Sequence, residues 1–217
     1  LIKHLEIKQT LKLDHNANNS YVTAILTAAG FSSRMSGYKP LLKWQNTTLI
    51  EYQIKTLFDA GVDEVMVVVG YNYKSITPYI ENSKASFVIN NKFASGRATS
   101  IIEGMKFVSP DTTSIMILGV DQPRNSVIIN QLLYQHSSSD YLITYPSFDG
   151  KGGHPIIFSS ILREELMLIS ETSFGIRLIT EKYKDKINKV EMQEPLVRLD
   201  LNTSHEYSEA FARWGSL

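Results

Sequence analysis

The chain has 217 residues, 43% of them hydrophobic, and 22 basic side chains balance 22 acidic ones to a formal charge of zero. That is enough apolar material for one good-sized α/β core, while neutrality without a basic block argues against nucleic acid or a membrane surface as partner. Cysteine is absent, which excludes disulfides, thiolate metal sites and a cysteine nucleophile, and fits a cytoplasmic protein.

The first twenty residues, LIKHLEIKQTLKLDHNANNS, lack the apolar stretch and cleavage site of a signal peptide and read as a polar lead-in or linker, leaving residues 21–217 as the domain. No apolar run approaches the roughly 20 residues of a membrane span. From Tyr21 onward, short β-branched runs alternate with helical patterns, the mark of a mainly parallel sheet covered on both faces. The first strand is predicted over Val22 to Thr27. A helix starts near Thr48 and runs LIEYQIKTLFDA, with Leu49, Tyr52, Ile54 and Leu57 as its buried stripe and Gly61 as its stop. A strand over 64–70, apolar almost throughout, should be buried on both faces. A polar helix from Tyr73 to Asn82 leads to a strand over 86–90. The helix beginning near Gly96 carries Ile101, Ile102, Met105 and Phe107. There follow the strand of SIMILGVDQPR, the helix VIINQLLYQH, the strand YLITYP and the segment HPIIFS. The last third reads as two helices, a strand near Asn188 to Glu191, another near Val197 to Leu201, and a closing helix from about Ser204.

Three stretches carry oxygen donors, cations or small residues at strand ends, where open α/β sheets bind their ligands. The first is AILTAAGFSSRMSGYKPLL, residues 24–42. Ala28, Ala29 and Gly30 follow a strand, and small side chains there let backbone N–H groups approach an anion closely. Arg34 can add a planar fork and Lys39 a point charge. The loop fits neither a P-loop nor a dinucleotide fingerprint, and the plainer alternative is a Gly/Ser-rich turn with two solvated cations. The second is LGVDQP, where Asp121 can hold Mg²⁺ bridging phosphate oxygens or simply help cap the next helix. The third is VRLDLNTSHEY, with Asp200 and Asn202 as oxygen donors and Thr203 or Ser204 as a helix N-cap.

Together these stretches resemble the MobA-like NTP transferase group, nucleotidyltransferases related to molybdenum cofactor cytidylyltransferase. LTAAGFSSRMSGYKPLL is similar to the signature LAAGxSxRMGxxKxLL. In order follow NNKFASGRATSIIEGM, ILGVDQP, GKGGHPIIFS, the Gly-x-Arg of GIR at Arg177, and LDLNTSHEY, each like a segment of that family. The similarity spans Val22 to Tyr207.

The resemblance implies a three-layer α/β/α Rossmann-like nucleotidyltransferase fold with a mixed, mostly parallel sheet. It implies transfer of a nucleotidyl group from a nucleoside triphosphate to a phosphorylated small-molecule acceptor, with Mg²⁺ and release of pyrophosphate. Ala28, Ala29 and Gly30 would lie along the nucleotide, Arg34 and Lys39 on its phosphates, and Asn90, Gly96 and Ser100 by the base and ribose. Asp121 and Asn202, with Asp200, would bind the metal, and Gly152, Gly153 and His154 the acceptor. Arg34, Lys39 and Asp121 are the catalytic candidates. CTP is favoured over GTP by the Gly-His-Pro and Gly-x-Arg segments, and molybdopterin is the leading acceptor, with a molybdoenzyme as a protein partner. Competing readings are an NAD(P)H-dependent oxidoreductase, an accessory protein for molybdenum hydroxylases, and a transferase acting on a sugar phosphate. Three departures from the family pattern stand out: Ser36 lengthens the loop before Lys39, Arg97 follows Gly96, and Ser204 replaces a proline. Of the remaining histidines, His4, His15, His136 and His205 show no ligand spacing and read as surface groups.

Overall fold

The computed structural model describes residues 20–216. The lead-in expected over residues 1–20 therefore lies, save for Ser20, outside the described residues, as do His4 and His15. In chain order the strands are β1 Val22–Ala28, β2 Lys43–Trp44, β3 Thr47–Thr48, β4 Glu64–Val69, β5 Ser86–Ile89, β6 Ser114–Gly119, β7 Ile143–Phe148, β8 Lys151–Gly152, β9 Ile156–Ser159 and β10 Ile187–Glu191. The α-helices are α1 Leu49–Asp59, α2 Thr77–Glu81, α3 Arg97–Met105, α4 Ser126–Ser137, α5 Arg163–Met167, α6 Ile176–Lys182 and α7 Ser204–Ala210.

β1 lies at the centre of a sheet ordered β10-β7-β9-β6-β1-β4-β5, with β8 beside β7 and with β2 and β3 as a separate small hairpin. It pairs in parallel with β4 on one side and β6 on the other. Strands buried on both faces need apolar side chains at every position rather than alternate ones. Accordingly Ala24, Leu26 and Ala28 pack into one core with Leu49, Ile54 and Leu57 of α1 and Ile129 and Leu132 of α4. Ile25 faces the other side, into a core with Ile101 and Met105 of α3 and Leu166 of α5. The result is the expected three-layer arrangement.

The sheet is mixed because β9 runs antiparallel between β6 and β7. After β7 the chain turns through Asp149 and Gly150, both at positive φ, and returns as β8. The turn of Gly153 and His154 then carries it across to β9. The α1 start near Thr48 is a capping box, in which the Thr48 hydroxyl and the Glu51 carboxylate each accept a backbone N–H.

Four local readings of the sequence are corrected. The expected helix over Tyr73–Asn82 is a 3₁₀ turn at Tyr73–Ser75 followed by the short α2, with Pro78 in its first turn. The strand expected at Val197–Leu201 is instead a 3₁₀ turn over Pro195–Arg198 and irregular chain beyond it. Phe107 lies past the end of α3 and is 52% exposed. His136 is not a surface group: it is buried, its Nδ1 is 2.8 Å from Thr144 Oγ1, and burial pushes its imidazole down to about 4.

Candidate active site

The carboxyl ends of β1 and β6 lie side by side, and Val120 N–H donates to Thr27 O at 3.0 Å where both strands stop. Above this edge is a cavity of about 200 Å³. Ala28, Ala29 and Gly30 line one wall, Lys39 and Asp121 another, and Gly96 and Ser100 a third. Residues from three distant stretches of the sequence thus meet at one point. A Cβ built on Gly30 would meet nothing within 4 Å, so the loop backbone is open to a ligand there.

Lys39 sits in the 3₁₀ turn Lys39–Leu41, whose buried Pro40 fixes the start. Its N–H donates to Ser32 Oγ at 3.0 Å, folding the loop back onto the turn. From there Nζ reaches Asp121 Oδ2 at 3.0 Å and Asn202 Oδ1 at 3.5 Å. The extra residue Ser36 therefore does not carry Lys39 out of the site. Ser36 N–H instead donates to Ser204 Oγ at 2.9 Å. Two of the three departures from the family pattern touch each other and tie the loop to the first residue of α7.

The 199–202 segment reaches Asp121 without being a strand. Leu201 N–H donates to Asp121 O at 2.8 Å, and Gln122 Nε2 donates to Asp200 Oδ1 at 2.7 Å. Thr203 caps α7 in a second capping box with Glu206, and Asn125 caps α4, so Asp121 is not the cap of the next helix. Asp121 and Asn202 point their oxygens at one shared cation, the Lys39 ammonium. With Asp200 nearby they form a hard-oxygen donor set of the kind Mg²⁺ prefers. Among the described residues no cluster of three or more His, Cys, Asp and Glu side chains could hold a metal alone.

Below the acidic turn lie two polar residues that the sequence reading did not single out. Gln53 of α1, fully buried, donates through Nε2 to Gly119 O and Gln122 O and accepts Arg124 N–H. Arg124, also fully buried, spends its guanidinium on four carbonyls: His154 O at 2.8 Å, Pro123 O at 2.9 Å, Leu199 O at 3.0 Å and Val197 O at 2.8 Å. Burial pushes its pKa down to about 9, partly offset by Asp200 and Asp121, so it stays charged at neutral pH. One side chain thereby fastens the acidic turn, the Gly-Gly-His-Pro turn and the approach to Asp200. Nothing in the local sequence distinguishes Arg124 from a solvated arginine.

Asn90 is buried beneath the cavity, where its Nδ2 donates to Ser100 Oγ at 3.0 Å and Thr99 Oγ1 at 2.9 Å. It supports Ser100 rather than lining the cavity. Arg34 is exposed on the loop and does not line the cavity. Gly152 pairs with Ser147 in the β7–β8 hairpin. A Cβ on Gly153 would fall 2.1 Å from Val197 O, so only glycine allows the His154 N–H to reach that carbonyl at 3.0 Å. His154 lines a second cavity of about 320 Å³ with Arg97, Glu171, Phe174 and Arg177. Burial, then the guanidiniums of Arg97 and Arg124, hold its imidazole at about 3, and its buried Nδ1 has no hydrogen-bond partner. It is a neutral ring at pH 7 and offers a hydrogen bond, not a charge.

Arg97, at the first position of α3, lines both cavities. Beside it Glu171 Oε1 accepts Ala98 N–H at 2.5 Å, so a carboxylate caps α3, which has no side-chain cap of its own. Gly96, at φ 111°, leaves the space that this carboxylate fills.

A family model described as the MobA-like NTP transferase domain matches residues 24–187. The chain is 26% identical over 189 residues to nicotine blue oxidoreductase of Paenarthrobacter nicotinovorans, covering 84% of this chain and 92% of that protein. It is 24% identical over 197 residues to molybdenum cofactor cytidylyltransferase of Escherichia coli, covering 90% of this chain and 98% of that protein. Among solved structures, Rv0371c of Mycobacterium tuberculosis superposes with a TM-score of 0.78 at 20% identity over 90% of this chain and 100% of that one. A complex of the same mycobacterial protein with manganese superposes at 0.72 and 19% identity, over 88% and 97% of the two chains.

Proposed function

The chain belongs to the MobA-like NTP transferase family and is a nucleotidyltransferase, and on that premise we propose that it moves CMP from CTP onto the phosphate of a molybdopterin-like acceptor. The observation that carries this reading is the meeting of Lys39, Asp121 and Asn202 under a small-residue loop at adjacent strand ends.

In this reaction an acceptor phosphate oxygen attacks the donor's α-phosphorus. A new P–O bond forms, the bond to the bridging oxygen before the β-phosphorus breaks, and pyrophosphate leaves with that electron pair. No protein nucleophile is needed, and positioning with charge stabilisation supplies the catalysis. The backbone of Ala28 to Gly30 cradles the donor, and Lys39 neutralises charge on its phosphates; Arg34, exposed on the loop outside the cavity, would reach them only if the loop moves. Ser100, steadied by Asn90, and Gly96 face the nucleoside. Asp121, Asn202 and Asp200 are the residues that would hold Mg²⁺, which when bound neutralises phosphate oxygens and orients them. The acceptor takes the second cavity, where neutral His154 donates or accepts one hydrogen bond and Arg97 and Arg177 supply charge.

A second reading, reduction of a heterocycle with NAD(P)H, is favoured by the similarity to nicotine blue oxidoreductase. Thermal stabilisation separates the two, because ligand bound to the folded state raises stability by RT ln(1 + [L]/Kd). CTP, GTP, ATP, UTP and NADPH are each tested with and without Mg²⁺. The expected result is a Mg²⁺-dependent rise for CTP, absent in Asp121→Ala, and release of pyrophosphate when molybdopterin is added. A shift with NADPH and none with any triphosphate overturns the transferase substrate assignment.

A further inference from the structure

We propose that Lys39 and a divalent cation take turns on Asp121, so that metal and triphosphate bind cooperatively through the exchange. This rests on the nucleotidyl-transfer reading of the site.

The Lys39 ammonium bonds the two oxygens that would also hold the metal, at 3.0 Å from Asp121 Oδ2 and 3.5 Å from Asn202 Oδ1. The pair is sheltered, with Lys39 only 13% and Asp121 31% exposed, so solvent screens it weakly. The carboxylate side is anchored: Asp121 O accepts Leu201 N–H, and the Gly119–Gln122 turn is closed by its own hydrogen bond at 3.0 Å. The Lys39 backbone is anchored too, through Ser32 Oγ and buried Pro40. What can move is the four-carbon lysine stem, whose ammonium is a point charge free to swing between partners.

A doubly charged ion on Asp121 repels an ammonium on the same carboxylate. The metal therefore expels Lys39 into the cavity, towards the wall formed by Ala28 to Gly30, where the donor phosphates lie. In the other direction, a triphosphate that draws Lys39 away leaves Asp121 with uncompensated charge and raises its affinity for the metal. Linkage makes the two effects equal. A fixed lysine that merely repelled the metal would weaken metal binding without linking it to nucleotide.

Two readouts test this without relying on turnover. Free Mn²⁺ is titrated by electron paramagnetic resonance against wild-type protein and Lys39→Met, with and without CTP. Acylation of Lys39 by an amine-reactive ester is followed by peptide mass spectrometry without additions, with Mg²⁺, and with Mg²⁺ and CTP. Nucleotide-free Mn²⁺ should bind Lys39→Met about tenfold more tightly than wild type, and the gain in Mn²⁺ affinity on adding CTP should shrink by a similar factor. Mg²⁺ alone should raise Lys39 acylation several-fold, and CTP should then protect it. If Mn²⁺ binds wild type but Lys39 acylation is unmoved and the CTP-linked gain equals that of Lys39→Met, the exchange is wrong while the transferase site stands. If wild type binds neither Mn²⁺ nor CTP, the reading of the site itself falls, and the exchange with it.

Discussion

At the scale of single residues, Ser36 and Ser204 show how a departure from a family pattern can be structural information. Each looks like a neutral surface serine in the sequence, yet Ser36 N–H donates to Ser204 Oγ at 2.9 Å and the two hydroxyl oxygens lie 3.2 Å apart. The link joins the loop after β1 to the start of α7, one step beyond Asn202 and Thr203. Proline is well tolerated at the first position of a helix, because its missing N–H would be unpaired there anyway. Ser204→Pro should therefore leave stability within about 0.5 kcal/mol, as for most surface changes. It should nonetheless loosen the loop that carries Ser32 towards Lys39. The expected outcome is a several-fold rise in the KM for the nucleotide with little change in urea midpoint. An unchanged KM would mean that the loop is held by the Ser32–Lys39 contact alone.

At the scale of elements, Arg124 joins parts that the chain order keeps apart. Its four carbonyl partners belong to residues 123, 154, 197 and 199. Truncation to methionine would leave three carbonyls, those of Pro123, His154 and Leu199, without this donor, Val197 O keeping the His154 N–H, and breaking a buried charged network of this kind costs about 3–5 kcal/mol. Lysine, with one compact ammonium in place of a planar fork, should restore little of that loss. Denaturant unfolding of Arg124→Met and Arg124→Lys measures both, and a loss below 1 kcal/mol in either would show that water replaces the guanidinium. The same side chain explains what the sequence did and did not reveal. The strands β1, β4 and β6 were legible because burial on both faces demands unbroken apolar runs. The alternation of VRLDL also looks like a strand, but the carbonyls of Val197 and Leu199 are taken by Arg124, and His154 N–H takes Val197 O as well. No neighbouring strand is left to pair with. The direction of β9 was equally hidden, since side-chain alternation is the same in parallel and antiparallel strands. Asp121 and Asn202 were found through their motifs, whereas Gln53 and Arg124 act through contacts 30 to 75 residues away that no local pattern encodes.

At the scale of the whole molecule, two cavities share Arg97 in the first turn of α3, one over the ends of β1 and β6 and one beside the Gly-Gly-His-Pro turn. Among the described residues no helix is long and apolar enough to cross a membrane, and the two cavities are where the fold gathers its polar chemistry. In-line transfer needs the phosphates of two substrates to meet, and an arginine can bind two phosphate oxygens at once with its planar fork. Arg97 lines both cavities, while Glu171 covers the helix end beside it by accepting Ala98 N–H. On the proposed reading the chemistry of Arg97 would be shared between substrates, unlike that of Lys39 on the donor side or His154 on the acceptor side. Replacing Arg97 with alanine should leave the fold intact, because the side chain is exposed, and should raise the KM for both substrates together. Loss of one charged hydrogen-bonding partner is worth about 1.5–3 kcal/mol, or roughly 10- to 150-fold in binding. Initial rates over a grid of both substrate concentrations separate the possibilities. A change confined to the nucleotide KM would assign Arg97 to the donor cavity alone, and the acceptor would then have to approach the α-phosphorus without it, past Asp121 and Asn202. A change in both constants, partly restored by Arg97→Lys, would place the reacting phosphates at the junction of the two cavities.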